Sequence, residues 1–192
     1  MRVERYSSAE GEARERFFGE YASQVSRGVI NPVLFGETLF PLSGPNERLL
    51  ISRGPEDLIL GILKYELLFP RTGVELGDFL KRNDMGMPRS LASIASGIEP
   101  TLSWEAQGFR EHDYGAPLAY VKDIESFRKR VGVGRTLITL LKEQEGVAGA
   151  FLEPIESEEC AGFYQDIGFR DSGLRSFGDG GKVLIWMANG KY

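Results

Sequence analysis

Residues 117–144, PLAYVKDIESFRKRVGVGRTLITLLKEQ, constrain the fold more than any other stretch of this chain. The first half of 117–126 is apolar on both faces, as a central strand would be. A loop with four cations and two glycines follows at 128–135. Leu137, Ile138, Leu140 and Leu141 then share the buried side of a helix predicted over about 134–145. A strand running through a glycine loop into an amphipathic helix points to an α/β arrangement.

The rest of the chain fits that class. MRVERY reads as a first strand, and Ser7 with Glu10 forms a capping-box signature. Ala13, Phe17, Tyr21 and Val25 recur every four residues, which predicts one or two helices over 9–26. ERLLISRGPEDLILGILKYELL divides into strands at about 47–53 and 58–68 around Gly54-Pro55-Glu56-Asp57. Residues 69–116 have weak periodicity, with short helices suggested at VELGDFLKRN and RSLASIAS. After the glycine loop come a strand at 147–153 ended by Pro154, a helix capped by Ser157 and closed by Gly168, and a C-terminal hairpin. The expectation is a single domain over 1–192, a mixed α/β fold of about seven strands with helices on both faces. The long insertion at 69–116 separates its third and fourth strands.

Composition removes several chemistries. One cysteine, Cys160, excludes an internal disulfide and a cysteine-rich metal site, so no metal is expected. One histidine, His112, makes zinc hydrolysis, Ser-His-Asp relays and Cys-His catalysis poor readings. A net charge of -5 argues against a nucleic-acid partner and suits a cationic amine. There is no apolar run of membrane-spanning length and no secretory leader, so a cytoplasmic protein without a membrane partner is expected.

Against that acidic background, the basic loop at 128–135 wants an anion. It lacks the Gly-x4-Gly-Lys-Ser/Thr of nucleotide hydrolases, and Leu137 stands where a dinucleotide fingerprint needs its third glycine. A simpler device fits: the bare amides of Val131 to Arg135, at the positive end of the following helix, would cradle a pyrophosphate that the cations neutralise.

KRVGVG at 129–134 resembles the Arg/Gln-x-x-Gly-x-Gly/Ala acetyl-CoA signature of the GNAT N-acyltransferase superfamily, with Lys129 where Arg or Gln is usual and Arg128 and Arg130 flanking it. AGFYQDIGFR at 161–170 resembles that family's later FYxxxGF motif, in the right order and about thirty residues away. The element order from 117 onward matches as well, and the insertion is longer than the family's usual connection there.

The resemblance implies acetyl-CoA as co-substrate, bound by Ile124, Lys129, Arg130, Val131, Gly132, Val133, Gly134, Arg135, Thr136 and Ser157. Its arm would lie between the strands at 117–126 and 147–153, where Ala148, Gly149 and Ala150 leave room or merely allow close packing. The implied reaction is direct transfer of the acetyl group to a primary amine of a small molecule or peptide in a ternary complex. Tyr164 would be the acid for the departing thiolate, or a core tyrosine. Glu125 or Asp123 would be the base, or would pair with Arg128 or Lys122. Ser157 is also a helix cap, and Cys160 reads as core packing. Glu105, Glu111, His112 and Asp113 could line the acceptor site, with Trp104, Phe109 and Tyr114 as loop anchors. A homodimer is compatible with this reading, and a non-catalytic acyl-CoA-binding module is its rival.

Overall fold

A computed structural model of the chain describes residues 1–7, 10–33, 35, 42, 44–83, 85–86, 116–128, 131–144, 146–154, 158–176 and 181–188. Its elements in order are β1 (Arg2–Ser7), α1 (Gly11–Ser26), β2 (Glu47–Arg53), β3 (Ile59–Leu68), α2 (Gly73–Arg82), β4 (Met85–Gly86), β5 (Leu118–Ser126), α3 (Val133–Gln144), β6 (Gly149–Leu152), α4 (Glu158–Asp166), β7 (Arg170–Ser176) and β8 (Lys182–Met187). The class is mixed α/β, with seven strands of four residues or more and the two-residue β4. The chain forms two compact units, one from 1–68 with 119–146 and the other from 69–118 with 147–192.

In the first unit the strand order is β1-β2-β3-β5, with β1/β2 and β2/β3 antiparallel. Phe17 and Tyr21 of α1 bury their rings against Leu49, Ile51, Ile59 and Ile62. Gly61 faces the other way: a Cβ there would lie 2.5 Å from Val133 Cγ1 and 2.7 Å from the Glu125 backbone oxygen. Because neighbours on a strand point to opposite faces, α1 and α3 cover opposite sides of this sheet. The predicted stripe on α1 is real. It also carries buried Gln24, which donates to the Asp57 carbonyl at 3.1 Å and accepts the Ile59 N–H at 3.0 Å.

The capping box is half made: the Ser7 N–H donates to the Glu10 carboxylate at 3.0 Å, but the helix starts at Gly11 with Glu10 itself as N-cap. The β2–β3 connection is a single turn at Pro55–Asp57 in which Glu56 and Asp57 take φ of 55° and 56°, unusual for residues with a Cβ. Buried Arg53 steadies it, donating to the Asp57 carbonyl while pairing with Glu4 at 2.6 Å and Glu20 at 2.7 Å.

The second unit has strand order β6-β8-β7-β4. The α2 helix stands at the predicted VELGDFLKRN. Thr72 caps it by accepting the Glu75 N–H at 3.4 Å, and Phe79 packs edge-on to Phe151 of β6. The predicted C-terminal hairpin is present, and its pairing shifts between Asp171 and Arg175, where Gly173 has φ of 81°. Gly168 ends α4 at φ 88°, and the Phe169 N–H returns to the Tyr164 carbonyl at 2.9 Å. The suggested helix RSLASIAS lies outside the described residues. Among the described residues no helix is long and apolar enough to cross a membrane, and no cluster of three potential metal ligands occurs.

Candidate functional site

The end of β5 and the start of α3 build the loop singled out above. The Phe127 N–H donates to the Leu60 carbonyl at 2.8 Å, which ties the strand's last turn to β3. The Ser126 hydroxyl donates to the Arg128 carbonyl at 2.8 Å, and Arg128 is exposed. Lys129 and Arg130 lie outside the described residues. Gly132 then takes φ of 76°, and its carbonyl accepts the Thr136 N–H at 2.9 Å to start α3.

A Cβ at Gly132 would meet no atom of the described residues within 4 Å, and the left-handed backbone there calls for glycine. The space above the residue is open. Val133 is buried, so only its backbone could face a ligand, and the Thr136 amide is already used by the helix. Val131 and Arg135 are exposed, and Ile124 and Gly134 are half-buried. The N-terminus of a helix twelve residues long, preceded by an exposed arginine and an open glycine, is a place where an anion is stabilised.

The two carboxylates predicted as bases have different surroundings. Glu125 is buried, and its oxygens accept the N–H groups of Val33 and, at 3.2 Å, Phe35. Its charge also helps to push the Tyr21 phenol up, after burial, which is the larger cause. Asp123 is half-buried and has no hydrogen bond or ion pair among the described residues. Burial pushes its pKa up, Lys64 and Lys122 oppose this, and Glu125 and Glu47 add to it.

The alternative that Asp123 or Glu125 pairs with Lys122 is not what forms. Lys122 instead binds Glu47 at 2.5 Å and Glu66 at 2.8 Å, and Glu47 lies 3.8 Å from Lys64. This cluster around buried Glu47 went unread in the sequence. Its members are scattered over three strands, and only the β2/β3 register, which sets Glu47 opposite Glu66, brings them together.

In the second unit Tyr164 is buried, with Phe163 and Phe169 edge-on at 5.1 and 5.8 Å. Burial, with a smaller contribution from Cys160, pushes its phenol up to about 12. Cys160 itself is half-buried and in no disulfide, less enclosed than a core position. Ser157 lies outside the described residues, as do Trp104, Glu105, Phe109, Glu111, His112, Asp113 and Tyr114. Gly149 has a packing reason of its own: a Cβ there would stand 2.5 Å from Met187 Sδ and 2.8 Å from the Trp186 carbonyl.

No family model matches the chain, and no curated protein matches its sequence. Among solved structures it is similar to NAA60 of Arabidopsis thaliana in complex with acetyl-CoA, at 14% identity over 98% of this chain and 100% of that one, with a TM-score of 0.47. It is similar to an aminoglycoside acetyltransferase from an uncultured soil metagenomic sample in complex with sisomicin, at 15% identity over 87% of this chain and 86% of that one, with a TM-score of 0.45. A ribosomal-protein-alanine N-acetyltransferase from Brucella melitensis biovar Abortus 2308 is similar at 13% identity over 87% of this chain and 91% of that one, with a TM-score of 0.44. Likeness at this depth transfers no residue's role from one chain to another.

Proposed function

We propose that this chain is a GNAT-like N-acetyltransferase that uses acetyl-CoA and acetylates a primary amine of a small molecule or peptide. The observation that carries the reading is Gly132, left-handed and open to solvent at the N-terminus of α3, immediately after a basic run. That arrangement fits a pyrophosphate: backbone can approach it closely, the helix end favours its charge, and Arg128 and Arg135 are exposed on either side. The thioester supplies an activated acyl carbon, which the amine attacks as the carbon–sulfur bond breaks.

The chain's part is to take up one proton and to steady the departing sulfur with a hydrogen bond. An ammonium must lose that proton before it can attack, and Asp123, half-buried with a raised pKa, is the proposed acceptor. Tyr164, with its phenol at about 12, stays protonated at neutral pH and is the proposed donor toward sulfur. Calorimetric titration with acetyl-CoA tests the reading. Saturable binding by the wild type, lost in Gly132→Val, supports it; no binding at millimolar ligand overturns it.

A further inference from the structure

We propose that Glu125 is a positioning residue of the acceptor side, not the base, a statement that rests on the transferase reading only for the word acceptor. Its two carboxylate oxygens are both taken, by the Val33 N–H and by the Phe35 N–H at 3.2 Å. Each oxygen keeps a second lone pair, but both are aimed at backbone amides in a buried position. A substrate's proton would have to arrive beside those bonds, whereas Asp123 has no such bonds from the described residues in the way. Glu125 sits at 9% exposure beneath this segment, whereas Asp123, two residues earlier on β5, has no such partner among the described residues.

The segment it holds has a definite form. Ile30 and Phe35 are anchored in the core at 3% and 1% exposure, and Val33 between them stands 84% exposed. Apolar anchoring alone fixes the Ile30 and Phe35 side chains; Glu125 fixes the backbone N–H of Val33 between them and that of Phe35 at the far end. β5 leads on within a few residues to Arg128 and Gly132, so one strand end carries both the Asp123 carboxylate and the grip on Val33 and Phe35. The clamp thus ties this backbone to the strand that carries the proposed base.

Amide hydrogen exchange on the full chain decides this. Glu125→Gln places an NH2 against one N–H and removes the charge from the other contact. Exchange at Val33 and Phe35 is expected to rise at least tenfold in this variant, while the amides of Leu63 and Val121 keep wild-type rates. Should Glu125→Gln fail to fold, Val33→Pro removes one donor and leaves β5 intact, and faster exchange at Phe35 is then expected.

With acetyl-CoA and spermine, kanamycin or a methionine-initiated hexapeptide as probe amines, Glu125→Gln is expected to raise the amine KM and keep the acidic limb of the pH–rate profile. Asp123→Asn should lose that limb. Unchanged exchange at both amides, or loss of the acidic limb in Glu125→Gln with KM unmoved, overturns the proposal. If the wild type neither binds acetyl-CoA nor acetylates any probe, the transferase reading falls, and the exchange rates alone still judge the clamp.

Discussion

Tyr164 shows how a single pKa limits a role. Moving a proton fully from a phenol at about 12 to a thiolate whose thiol has an ordinary pKa of about 8.5 is uphill by roughly 5 kcal/mol. Tyr164 therefore serves better as a hydrogen-bond donor that stabilises the departing sulfur. A bond of that kind to a charged group contributes about 1.5–3 kcal/mol. Tyr164→Phe should accordingly lower turnover roughly 10- to 100-fold and leave acetyl-CoA affinity unchanged, as steady-state kinetics and calorimetry would reveal. A non-catalytic binding module would bind acetyl-CoA with no turnover for the substitution to lower. Asp123 allows a prediction of opposite kind. Its folded pKa lies above the ordinary 3.8, so the native state holds a proton that the unfolded chain has released, and stability falls as pH rises through that window. Asp123→Asn removes the cost. The variant should melt higher than wild type at pH 7, and the gap should close as pH drops below the ordinary carboxyl range. At Gly132 a β-branched side chain must occupy a left-handed backbone at a cost of about 1–2 kcal/mol, besides blocking the ligand.

Helix α3 illustrates how an element can suit a site and still carry strain elsewhere. Its N-terminus is pinned by Val133 against Gly61, so Gly61→Ala should destabilise the first unit by about 2 kcal/mol or more in denaturant unfolding. Near its other end, burial pulls the Lys142 pKa down from 10.5 to about 8. The unfolded chain then binds more protons than the native one between those values, so stability rises with pH across that range. Lys142→Met should flatten this dependence and raise the melting temperature at pH 7. Helices and strands were largely legible in the sequence, since their apolar periods survive in the burial of Phe17, Tyr21, Leu137 and Leu141. The start of α1 was not, because Glu10 bonds Ser7 and yet serves as the cap itself. The loop at Gly132 was legible from composition alone, but the occupation of Glu125 depends on Val33 and Phe35, distant in sequence and without any side-chain signature for it.

At the scale of the whole molecule, the chain passes from one unit to the other after residues 68, 118 and 146, so neither unit is a contiguous stretch of sequence. No local pattern announces such an exchange, which only long-range pairing creates. Binding of acetyl-CoA to the folded chain alone should stabilise it by about 2.7 kcal/mol at a ligand concentration 100 times Kd. A thermal shift that grows with ligand in the wild type and is absent in Gly132→Val would place that linkage at the loop. The clamp at Glu125 has a consequence for descent as well. It grips peptide N–H groups, which every amino acid except proline supplies, and so is blind to which side chains residues 33 and 35 carry. Phe35 is held to its identity by the core, but position 33 projects into solvent and answers to no neighbour's shape. Lineages can therefore exchange residues at position 33, trying new chemistry on the surface, while the course of the backbone beneath is inherited unchanged.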